Sequence, residues 1–301
     1  MRLGRGVVLG GAAAGGIYWL IRYYRPEHST LVLNEQVVII TGASSGIGRA
    51  LAFAFARRAA RVVLVARRED RLEAVRREIE PYSTDALVIP ADVTDDAQLQ
   101  QVVNRTLEVF GRIDVLVNNA GMLRGSPLRE QAPEDIERLV RVNLWTAIRL
   151  TQLALPSMLA NNYGYILNIG SGLGRTAMPM FSTYVASKYG LSGFTDALRR
   201  ELDGTGIHLT LVLPTWTRTE MLDPRTEDLL LRHGFRIDDP DRAAERAVLA
   251  LVRGEREVIL GGPLEKVGIL TERYAPFLVN LYWKLWMSPE WIATMGRTNR
   301  H

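Results

Sequence analysis

Tyr184 and Lys188 stand four residues apart in the segment Tyr-Val-Ala-Ser-Lys, and their side chains are suited to moving a proton. On a helix this spacing places the phenol and the ammonium on one face. A free tyrosine has a pKa of about 10, and a neighbouring cation lowers that pKa by stabilising the phenolate. Only three lysines occur in the chain, and Lys188 is the only one between residues 34 and 263. The pair therefore predicts general acid–base chemistry at Tyr184, with Lys188 lowering its pKa and reaching a ribose hydroxyl.

A glycine-rich turn, Thr-Gly-Ala-Ser-Ser-Gly-Ile-Gly at 41–48, follows the first apolar run of the chain. Gly42 permits a tight turn, Gly46 lets backbone amides approach a pyrophosphate, and Gly48 allows a helix to pack closely on the strand. A helix that opens at Arg49 would direct its first N–H groups and its dipole at the phosphates. The turn predicts a dinucleotide-binding site.

The same turn also fits the Gly-x-Ser-x-Gly nucleophile elbow of α/β-hydrolases, with Ser44 as the nucleophile. That mechanism needs a histidine base, and of the later histidines His208 lies in an apolar strand and His233 in a loop. Such an elbow also follows several strands, whereas this one follows the first. The dinucleotide interpretation is therefore favoured.

The end of the second strand carries information about the nucleotide. NAD sites place a carboxylate there for the ribose 2′-hydroxyl, but this chain continues from Ala66 into Arg67 and Arg68. Arg67 could form a charge-assisted pair with the 2′-phosphate of NADP. Because the chain has 34 arginines, a solvated arginine at a helix start remains the alternative. We predict NADP (NADPH) as the cofactor.

From residue 34, short β-branched runs alternate with helical patterns. Apolar strands without polar alternation are typical of parallel strands buried on both faces, and alternation with helices implies right-handed crossovers. We expect an α/β fold, a Rossmann-type doubly wound sheet of about seven parallel strands flanked by helices on both faces. Residues 215–240 are predicted to form a long insertion at the ligand-binding end. The predicted strands are 37–41, 62–66, 86–90, 114–118, 165–169, 208–213 and 257–260, and the predicted helices are 49–60, 68–80, 96–110, 134–160, 183–203 and 241–253.

These motifs together resemble those of the short-chain dehydrogenase/reductase family over roughly residues 34–261. The matching elements are the turn at 41–48, Ala-Asp-Val at 91–93, Asn-Asn-Ala-Gly at 118–121, Val-Asn-Leu at 142–144, Asn-Ile-Gly-Ser at 168–171 and Tyr-Val-Ala-Ser-Lys at 184–188. The resemblance implies a catalytic tetrad of Asn143, Ser171, Tyr184 and Lys188, in which Asn143 holds a proton-relaying water. It implies that Asp92 and Val93 lie near the adenine, that Asn118 to Gly121 shape the cofactor pocket and that Thr219 contacts the nicotinamide amide. The full predicted cofactor-binding set is Thr41, Gly42, Ser44, Ser45, Gly46, Ile47, Gly48, Arg67, Asp92, Val93, Asn119, Ala120, Gly121, Tyr184, Lys188, Pro214 and Thr219.

One position departs from the family pattern. The family commonly has Pro-Gly after the strand at 208–213, whereas this chain has Pro214-Thr215-Trp216. Thr215 adds bulk beside the nicotinamide, which alters the expected loop geometry and substrate shape. Trp216 would either form an apolar wall of the substrate site or pack within the loop.

The two ends of the chain differ from its middle. Residues 7–21 form a charge-free apolar run flanked by arginines, and as a helix it would span about 22 Å against a ~30 Å hydrocarbon core. Interfacial tyrosine and tryptophan and snorkelling arginines could close this gap, so residues 1–33 are interpreted as an uncleaved membrane anchor with its linker. A cleaved signal peptide and a disordered glycine-rich tail are the alternatives.

The C-terminal extension, residues 264–301, is again apolar and aromatic. A helix over about 277–287 would be apolar nearly all round. Either it packs on the core or on a sister subunit, or it lies at a lipid interface. The expected domains are thus the anchor at 1–33, the catalytic domain at 34–263 and this extension.

Composition excludes several classes of protein. The chain has no cysteine, which excludes disulfide scaffolds and thiol nucleophiles, and its four histidines show no metal-ligand spacing, so no metal is expected. The net charge of +4 comes from the two ends, since residues 34–263 sum to −1, and this argues against a nucleic-acid partner.

The apolar ends suggest a lipophilic carbonyl or alcohol as substrate, such as a sterol, retinoid, long-chain ketone or sphingoid base. We therefore expect an NADP-dependent oxidoreductase held on a membrane by one N-terminal anchor, with its catalytic domain facing the cytosol, where cofactor is supplied. The alternative is a membrane-bound scaffold or sensor that binds cofactor without turnover. By analogy with the family, a homo-oligomer formed through 96–110 and 134–160 is expected.

Overall fold

The computed structural model describes residues 31–82, 85–287 and 289–295. The anchor predicted at 7–21 lies outside the described residues. Within the described part of the chain, no helix is both long enough and apolar enough to cross a bilayer.

Seven parallel strands form one sheet, in the order β3-β2-β1-β4-β5-β6-β7. The central strands are buried on both faces, which explains why their sequences are apolar without alternation. The predicted sheet and its parallel sense are confirmed, and the strand bounds differ from the predicted ones by at most one residue. The strands are β1 Val37–Thr41, β2 Arg61–Ala66, β3 Leu87–Pro90, β4 Val115–Asn118, β5 Gly164–Ile169, β6 Ile207–Leu213 and β7 Glu257–Ile259.

Helices cover both faces of the sheet, as predicted. Alternate residues of β1 show the division, because Val38 and Ile40 pack with α1 and α8, whereas Val37 and Ile39 pack with α3 and α5. The helices in the described residues are α1 Gly46–Ala56, α2 Glu69–Ile79, α3 Asp96–Phe110, α4 Pro133–Val140, α5 Thr146–Ala160, α6 Ser182–Glu201, α7 Pro224–Arg232, α8 Pro240–Val252, α9 Pro263–Tyr274, α10 Pro276–Trp286 and α11 Pro289–Met295.

The predicted single helix at 134–160 is interrupted. Between α4 and α5, residues Arg141–Trp145 form one turn of π-helix, and Asn143 lies in the middle of that turn. π-turns within helices often occur at functional sites. The interruption therefore falls at a predicted catalytic residue.

The predicted insertion at 215–240 contains a helix, α7, that the sequence analysis did not predict. Asp223 caps it by accepting hydrogen bonds from the backbone N–H groups of Arg225 and Thr226, at 3.1 and 3.0 Å, and Pro224 occupies the first turn. An Asp-Pro pair is a helix-start signal.

The described part of the C-terminal extension, up to Met295, is mainly helical and packs on the body of the protein. The helix predicted at 277–287 is present as α10, and α9 and α11 flank it. A third apolar cluster joins α11 to α7, with Trp291 and Met295 buried against Leu229 and Leu230. We refer to this set of side chains as the C-terminal cluster.

Candidate active site

A cavity of about 870 Å³ lies at the carboxyl ends of the strands. Loops after parallel strands converge at this edge, which is where open α/β sheets bind their ligands. Of the predicted site residues, Thr41 and Asn143 do not line the cavity. Those that do are Gly42, Ser44, Ser45, Gly46, Ile47, Gly48, Arg67, Asp92, Val93, Asn119, Ala120, Gly121, Ser171, Tyr184, Lys188, Pro214 and Thr219.

The glycine-rich turn needs its glycines for two separate reasons. Gly42 and Gly46 have φ angles of 69° and 53°, in the left-handed region that side chains disfavour. A Cβ on Gly48 would lie 2.1 Å from the carbonyl oxygen of Gly42, so α1 can approach β1 only without one. The helix begins at Gly46, three residues earlier than predicted, so its first amides belong to the turn itself.

Thr41 connects strands beside the cavity. Its hydroxyl donates to the carbonyl oxygen of Val117 at 3.2 Å and accepts the backbone N–H groups of Asn119 and Ala120 at 3.0 Å each. The side chain is buried, so Thr41 ties the ends of β1 and β4 together and does not contact the space where a ligand would lie.

Two exposed arginines follow β2 at the cavity edge. Arg68 lies 3.3 Å from the hydroxyl of Ser44, and it shares the carboxylate of Glu220 with Arg71, at 3.7 and 2.6 Å. Arg67 also lines the cavity, where its charge acts on the carboxylate of Asp92. This corner is therefore rich in guanidinium groups and suited to an anionic ligand.

Asp92, at the end of β3, is held ionised. Burial opposes its ionisation, but hydrogen bonds from the backbone N–H and hydroxyl of Thr94, at 2.9 and 2.8 Å, act in the other direction together with the charge of Arg67. The net effect lowers the pKa of Asp92. Its carboxylate is therefore an acceptor at neutral pH.

Tyr184, Ser171 and Lys188 meet in the middle of the cavity. Helix α6 places Tyr184 one turn before Lys188, and the ammonium lies 5.9 Å from the centre of the phenol ring. Tyr184 hydrogen bonds to Ser171, and Lys188 donates to the carbonyl oxygen of Ile169 at 3.1 Å. These are the groups that the sequence predicted to lie together.

The pKa of Tyr184 does not shift as predicted. Burial raises it, and the hydrogen bond with Ser171 only partly opposes this rise. Burial also lowers the pKa of Lys188 to about 8, because a low-dielectric site disfavours its charge. The net lowering expected for the pKa of Tyr184 is thus not found, since desolvation outweighs the hydrogen bond with Ser171.

Asn143 is occupied by protein groups. Its amide nitrogen donates to the carbonyl oxygen of Met122 at 2.9 Å and to the hydroxyl of Ser187 at 3.1 Å, while its oxygen accepts the N–H of Met122 at 2.8 Å. These bonds join the loop after β4 to α6 next to Lys188. The side chain therefore positions the site, and its amide has no donor left for the predicted water.

Sequence reasoning missed a buried polar chain beneath the cavity. Asn118 donates to Asn168 at 2.8 Å, and Asn168 donates to Thr195 of α6 at 2.8 Å. The chain connects β4, β5 and the helix that carries Tyr184. An asparagine inside an apolar strand, as in Tyr-Ile-Leu-Asn-Ile, was the available signal, because buried amides are kept only when they are paired.

The far end of the cavity is apolar and is built by residues that the sequence analysis mostly did not assign. Trp216, which was predicted either as a wall or as loop packing, does both, since it lines the cavity and packs on the C-terminal cluster. Thr215 also lines the cavity. Its side chain leaves room only for glycine at position 261, because a Cβ on Gly261 would lie 2.2 Å from the Thr215 hydroxyl. The other apolar lining residues are Leu123, Leu173, Met178, Leu222, Phe235, Leu264, Val267, Ile269, Leu278, Val279 and Trp283.

The described histidines lie away from Ser44. His208 stacks on Tyr165 with ring centres 5.1 Å apart, and His233 packs edge-on against Trp291 at 5.2 Å. Neither lines the cavity. The hydrolase alternative therefore has no base within reach of its nucleophile in the described part of the chain.

Comparisons with known proteins agree with this geometry. A family model described as short chain dehydrogenase matches residues 36–230. The dehydrogenase/reductase SDR family protein 7-like of Anopheles gambiae is 34% identical over 278 residues, which cover 88% of this chain and 87% of that protein. The 11-beta-hydroxysteroid dehydrogenase A of Sesamum indicum is 36% identical over 271 residues, covering 85% of this chain and 74% of that protein.

A solved structure is also similar. The crystal structure of a metagenomic short-chain oxidoreductase in complex with NADP superposes with a TM-score of 0.65 and 31% identity, over 76% of this chain and 98% of that one. The sheet order, the glycine-rich turn and the family match all point to the same family. The chain therefore belongs to the short-chain dehydrogenase/reductase family of oxidoreductases.

Proposed function

We propose that the protein is an NADPH-dependent reductase that converts the carbonyl group of a lipophilic substrate to an alcohol. The observation that carries this proposal is the meeting of Tyr184, Ser171 and Lys188 in a cavity whose far end is apolar. One end of the cavity would hold the nucleotide and the other the apolar part of the substrate.

The residues present fit a nicotinamide dinucleotide. The turn has no room for a side chain at Gly42 or Gly48. Helix α1 begins at the cavity, so its first amides would meet the pyrophosphate. Arg67 and Arg68 would hold a 2′-phosphate, which favours NADP over NAD. A relative solved with NADP supports this choice. When bound, the nicotinamide supplies the hydride.

The protein's own groups supply the proton and the electrostatics. Ser171 and Tyr184 would donate hydrogen bonds to the substrate oxygen, and Tyr184 would give its proton to that oxygen as negative charge develops there. A raised pKa keeps the phenol protonated at neutral pH, as a proton donor requires. Lys188, protonated at neutral pH, would stabilise the phenolate that remains. Asn143 would hold α6 in position.

A lipophilic substrate is supported by the cavity lining. The apolar walls beyond the reacting groups are formed by Trp216, Leu222, Phe235 and Trp283. Walls of this kind bind an apolar ligand by excluding water. A curated relative is named as a hydroxysteroid dehydrogenase. The substrate classes we propose are therefore sterols, retinoids, long-chain ketones and sphingoid bases.

The test is consumption of NADPH by the full chain in membranes, with carbonyl compounds graded from small polar ketones to sterols. We expect activity to rise with lipophilicity and to exceed the activity with NADH. In Tyr184→Phe, turnover should fall about 10²- to 10⁴-fold, because the proton donor is lost, while the Kd for NADPH stays nearly constant. Wild-type turnover in that variant would remove Tyr184 from its role.

A panel without turnover, together with measurable binding of NADPH, would instead favour the scaffold or sensor function. Preference for small polar ketones would contradict the lipophilic substrate while leaving the reductase activity standing. These two outcomes separate the reaction from its substrate.

We also propose that residues 1–33 anchor the enzyme in a membrane with its catalytic domain in the cytosol. The apolar run at 7–21 with flanking arginines supports this localisation. Retention of the chain in membranes after alkaline extraction tests it, with a chain lacking residues 1–30 as control. A homo-oligomer through residues 96–110 and 134–160, which form α3 and the segment from α4 to α5, is proposed by family analogy, and chemical crosslinking tests it.

A further inference from the structure

The exposed apolar side chains of this protein are concentrated in one region. Of nineteen large apolar residues that the described part of the chain exposes, ten lie between 264 and 292. Contiguous apolar surface of this kind marks an interaction site, whereas scattered apolar residues do not.

Helix α9 carries a continuous apolar stripe on its outside. Leu264, Val267, Leu270 and Tyr274 follow one another at spacings of three or four residues, which places them on one face, and they are 45% to 75% exposed. Ile269, on another face, is 6% exposed and holds the helix to the body. A helix on a water-facing surface would reverse this pattern and expose polar residues on its outer side.

Helix α10, which contacts α9, repeats the pattern. Phe277, Leu278, Leu281 and Leu285 are 46% to 75% exposed, while Val279 is buried. The spacing again aligns most of the exposed residues on one side. We call the exposed apolar residues of α9 and α10 together the outer face.

The exposed charges of α9 and α10 have one sign. Lys266, Arg273 and Lys284 are exposed, whereas Glu265 and Glu272 are half-buried and bonded to other segments. Glu265 accepts the backbone N–H of Arg236 at 2.9 Å, and Glu272 accepts the hydroxyl of Thr176 at 3.2 Å. An apolar surface edged by exposed cations complements a bilayer with anionic headgroups.

The outer face is continuous with the mouth of the cavity. Leu264, Val267 and Leu278 are exposed on the outside and line the cavity as well. A substrate dissolved in lipid could therefore pass from that surface into the cavity along apolar side chains.

We propose that the outer face rests on a lipid bilayer and that the cavity receives its substrate from that bilayer. Three observations favour a bilayer over another protein surface: the flanking cations, the shared residues of mouth and face, and the apolar run at 7–21 that precedes the domain in the same chain. The proposal deepens the proposed function, because it rests on a lipophilic substrate.

The absence of cysteine makes a direct test practical, because a single introduced cysteine can be labelled without background. The full chain would be reconstituted in vesicles of phosphatidylcholine and phosphatidylserine, with an environment-sensitive fluorophore at Leu281→Cys or Leu285→Cys. The matched control is Leu128→Cys, which labels a leucine that is 59% exposed in the segment between β4 and α4. Nitroxides on the lipid acyl chains serve as quenchers.

Docking predicts a blue-shifted emission and quenching by lipid for the probes at 281 and 285, and neither effect at 128. Equal behaviour of the three probes would overturn the proposal. A probe at 281 that is shielded without quenching by lipid would also overturn it, because the face would then be covered by residues 7–21 or by a second copy of the chain.

A kinetic measurement separates this proposal from the proposed function. Leu281→Glu and Leu285→Glu lie outside the cavity lining, so they should leave turnover of a water-soluble ketone unchanged. For a long-chain ketone presented in vesicles, KM should rise on the order of tenfold, as expected for withdrawing one such side chain from lipid. An unchanged KM in vesicles contradicts docking, whereas absence of turnover with every ketone contradicts the reductase and leaves the quenching result to decide docking.

Discussion

Burial moves the pKa values of Tyr184 and Lys188 in opposite directions, since it raises the first and lowers the second to about 8. Both shifts favour the neutral form, because each charged form loses hydration in the cavity. For Tyr184 the neutral form is the one that could donate a proton, so its shift suits the proposed reduction. For Lys188 the shift works against the ammonium, and this cost should be visible in the stability of the protein.

The pH dependence of unfolding tests the burial of Lys188. Its folded pKa of about 8 lies below the ordinary 10.5, so between these values the unfolded chain binds more protons than the folded protein. The contribution of Lys188 to stability is therefore unfavourable below pH ~8 and is relieved as pH rises toward ~10.5. Relative to Lys188→Met, which is buried but does not titrate, the wild-type free energy of unfolding from urea titrations should rise across this window. Parallel curves would contradict the shift.

Glu220 pairs with two of the arginines that follow β2 at the edge of the cavity. Because it pairs with Arg68 and Arg71, it competes with any anion for them. In Glu220→Gln we expect NADPH to bind about two- to fivefold more tightly, since exposed ion pairs are weak, and NADH to bind as before. Fluorescence titration with both cofactors measures this. Glu245→Gln, which removes a partner of Arg58 outside the cavity, is the control, and an equal change for the two cofactors would count against a 2′-phosphate at this corner.

At the scale of elements, the site depends on how closely α1 approaches β1. The Cβ that Gly48 lacks would fall 2.1 Å from the Gly42 carbonyl oxygen and 2.5 Å from the amide nitrogen of Asn119. Asn119 in turn donates to the carbonyl oxygen of Thr41 at 2.8 Å. One glycine thus sets the spacing between the turn and the end of β4.

Replacing Gly48 by alanine should separate these elements. We expect Gly48→Ala to destabilise the protein by about 1–3 kcal/mol, the usual cost of overpacking, and to weaken NADPH binding at least about tenfold. Gly193→Ala is the matched control, because a Cβ there meets nothing within 4 Å and α6 should gain about 0.5–1 kcal/mol. Urea unfolding and NADPH titration report the two effects, and similar results for both variants would refute the packing argument.

These elements also show which parts of the fold the sequence could predict. The strands were predictable because burial on both faces requires an apolar run of residues. The shared face of Tyr184 and Lys188 on α6 was predictable because helical spacing fixes it. The π-turn at Asn143 was not, since it depends on long-range bonds to Met122 and Ser187. Nor was the direction of the Tyr184 pKa shift, because desolvation depends on segments distant in sequence that cover the phenol.

At the scale of the whole molecule, the C-terminal extension completes the apolar end of the cavity, where we propose that the substrate binds. Trp291 is 2% exposed and packs on His233, Phe235 and Trp283 with ring centres 5.2, 6.2 and 5.8 Å away. Phe235 and Trp283 line the cavity, whereas Trp291 lies behind them. The last helix therefore supports a wall of the cavity that is built mainly by other segments.

Truncation of Trp291 should consequently affect substrate and cofactor differently. Trp291→Ala leaves a cavity behind Phe235 and Trp283, so we expect a loss of about 3–5 kcal/mol in unfolding free energy and a raised KM for the lipophilic substrate. The Kd for NADPH should stay unchanged, because the glycine turn and Arg67 lie at the other end of the cavity. Trp291→Phe, which keeps an aromatic ring in place, should fold where the alanine variant does not and show the same effect in milder form. The neighbouring Ile292→Ala, at a side chain 40% exposed, should change neither quantity. Equal loss of NADPH binding and substrate affinity in Trp291→Phe would mean that this helix supports the domain as a whole and not the substrate wall.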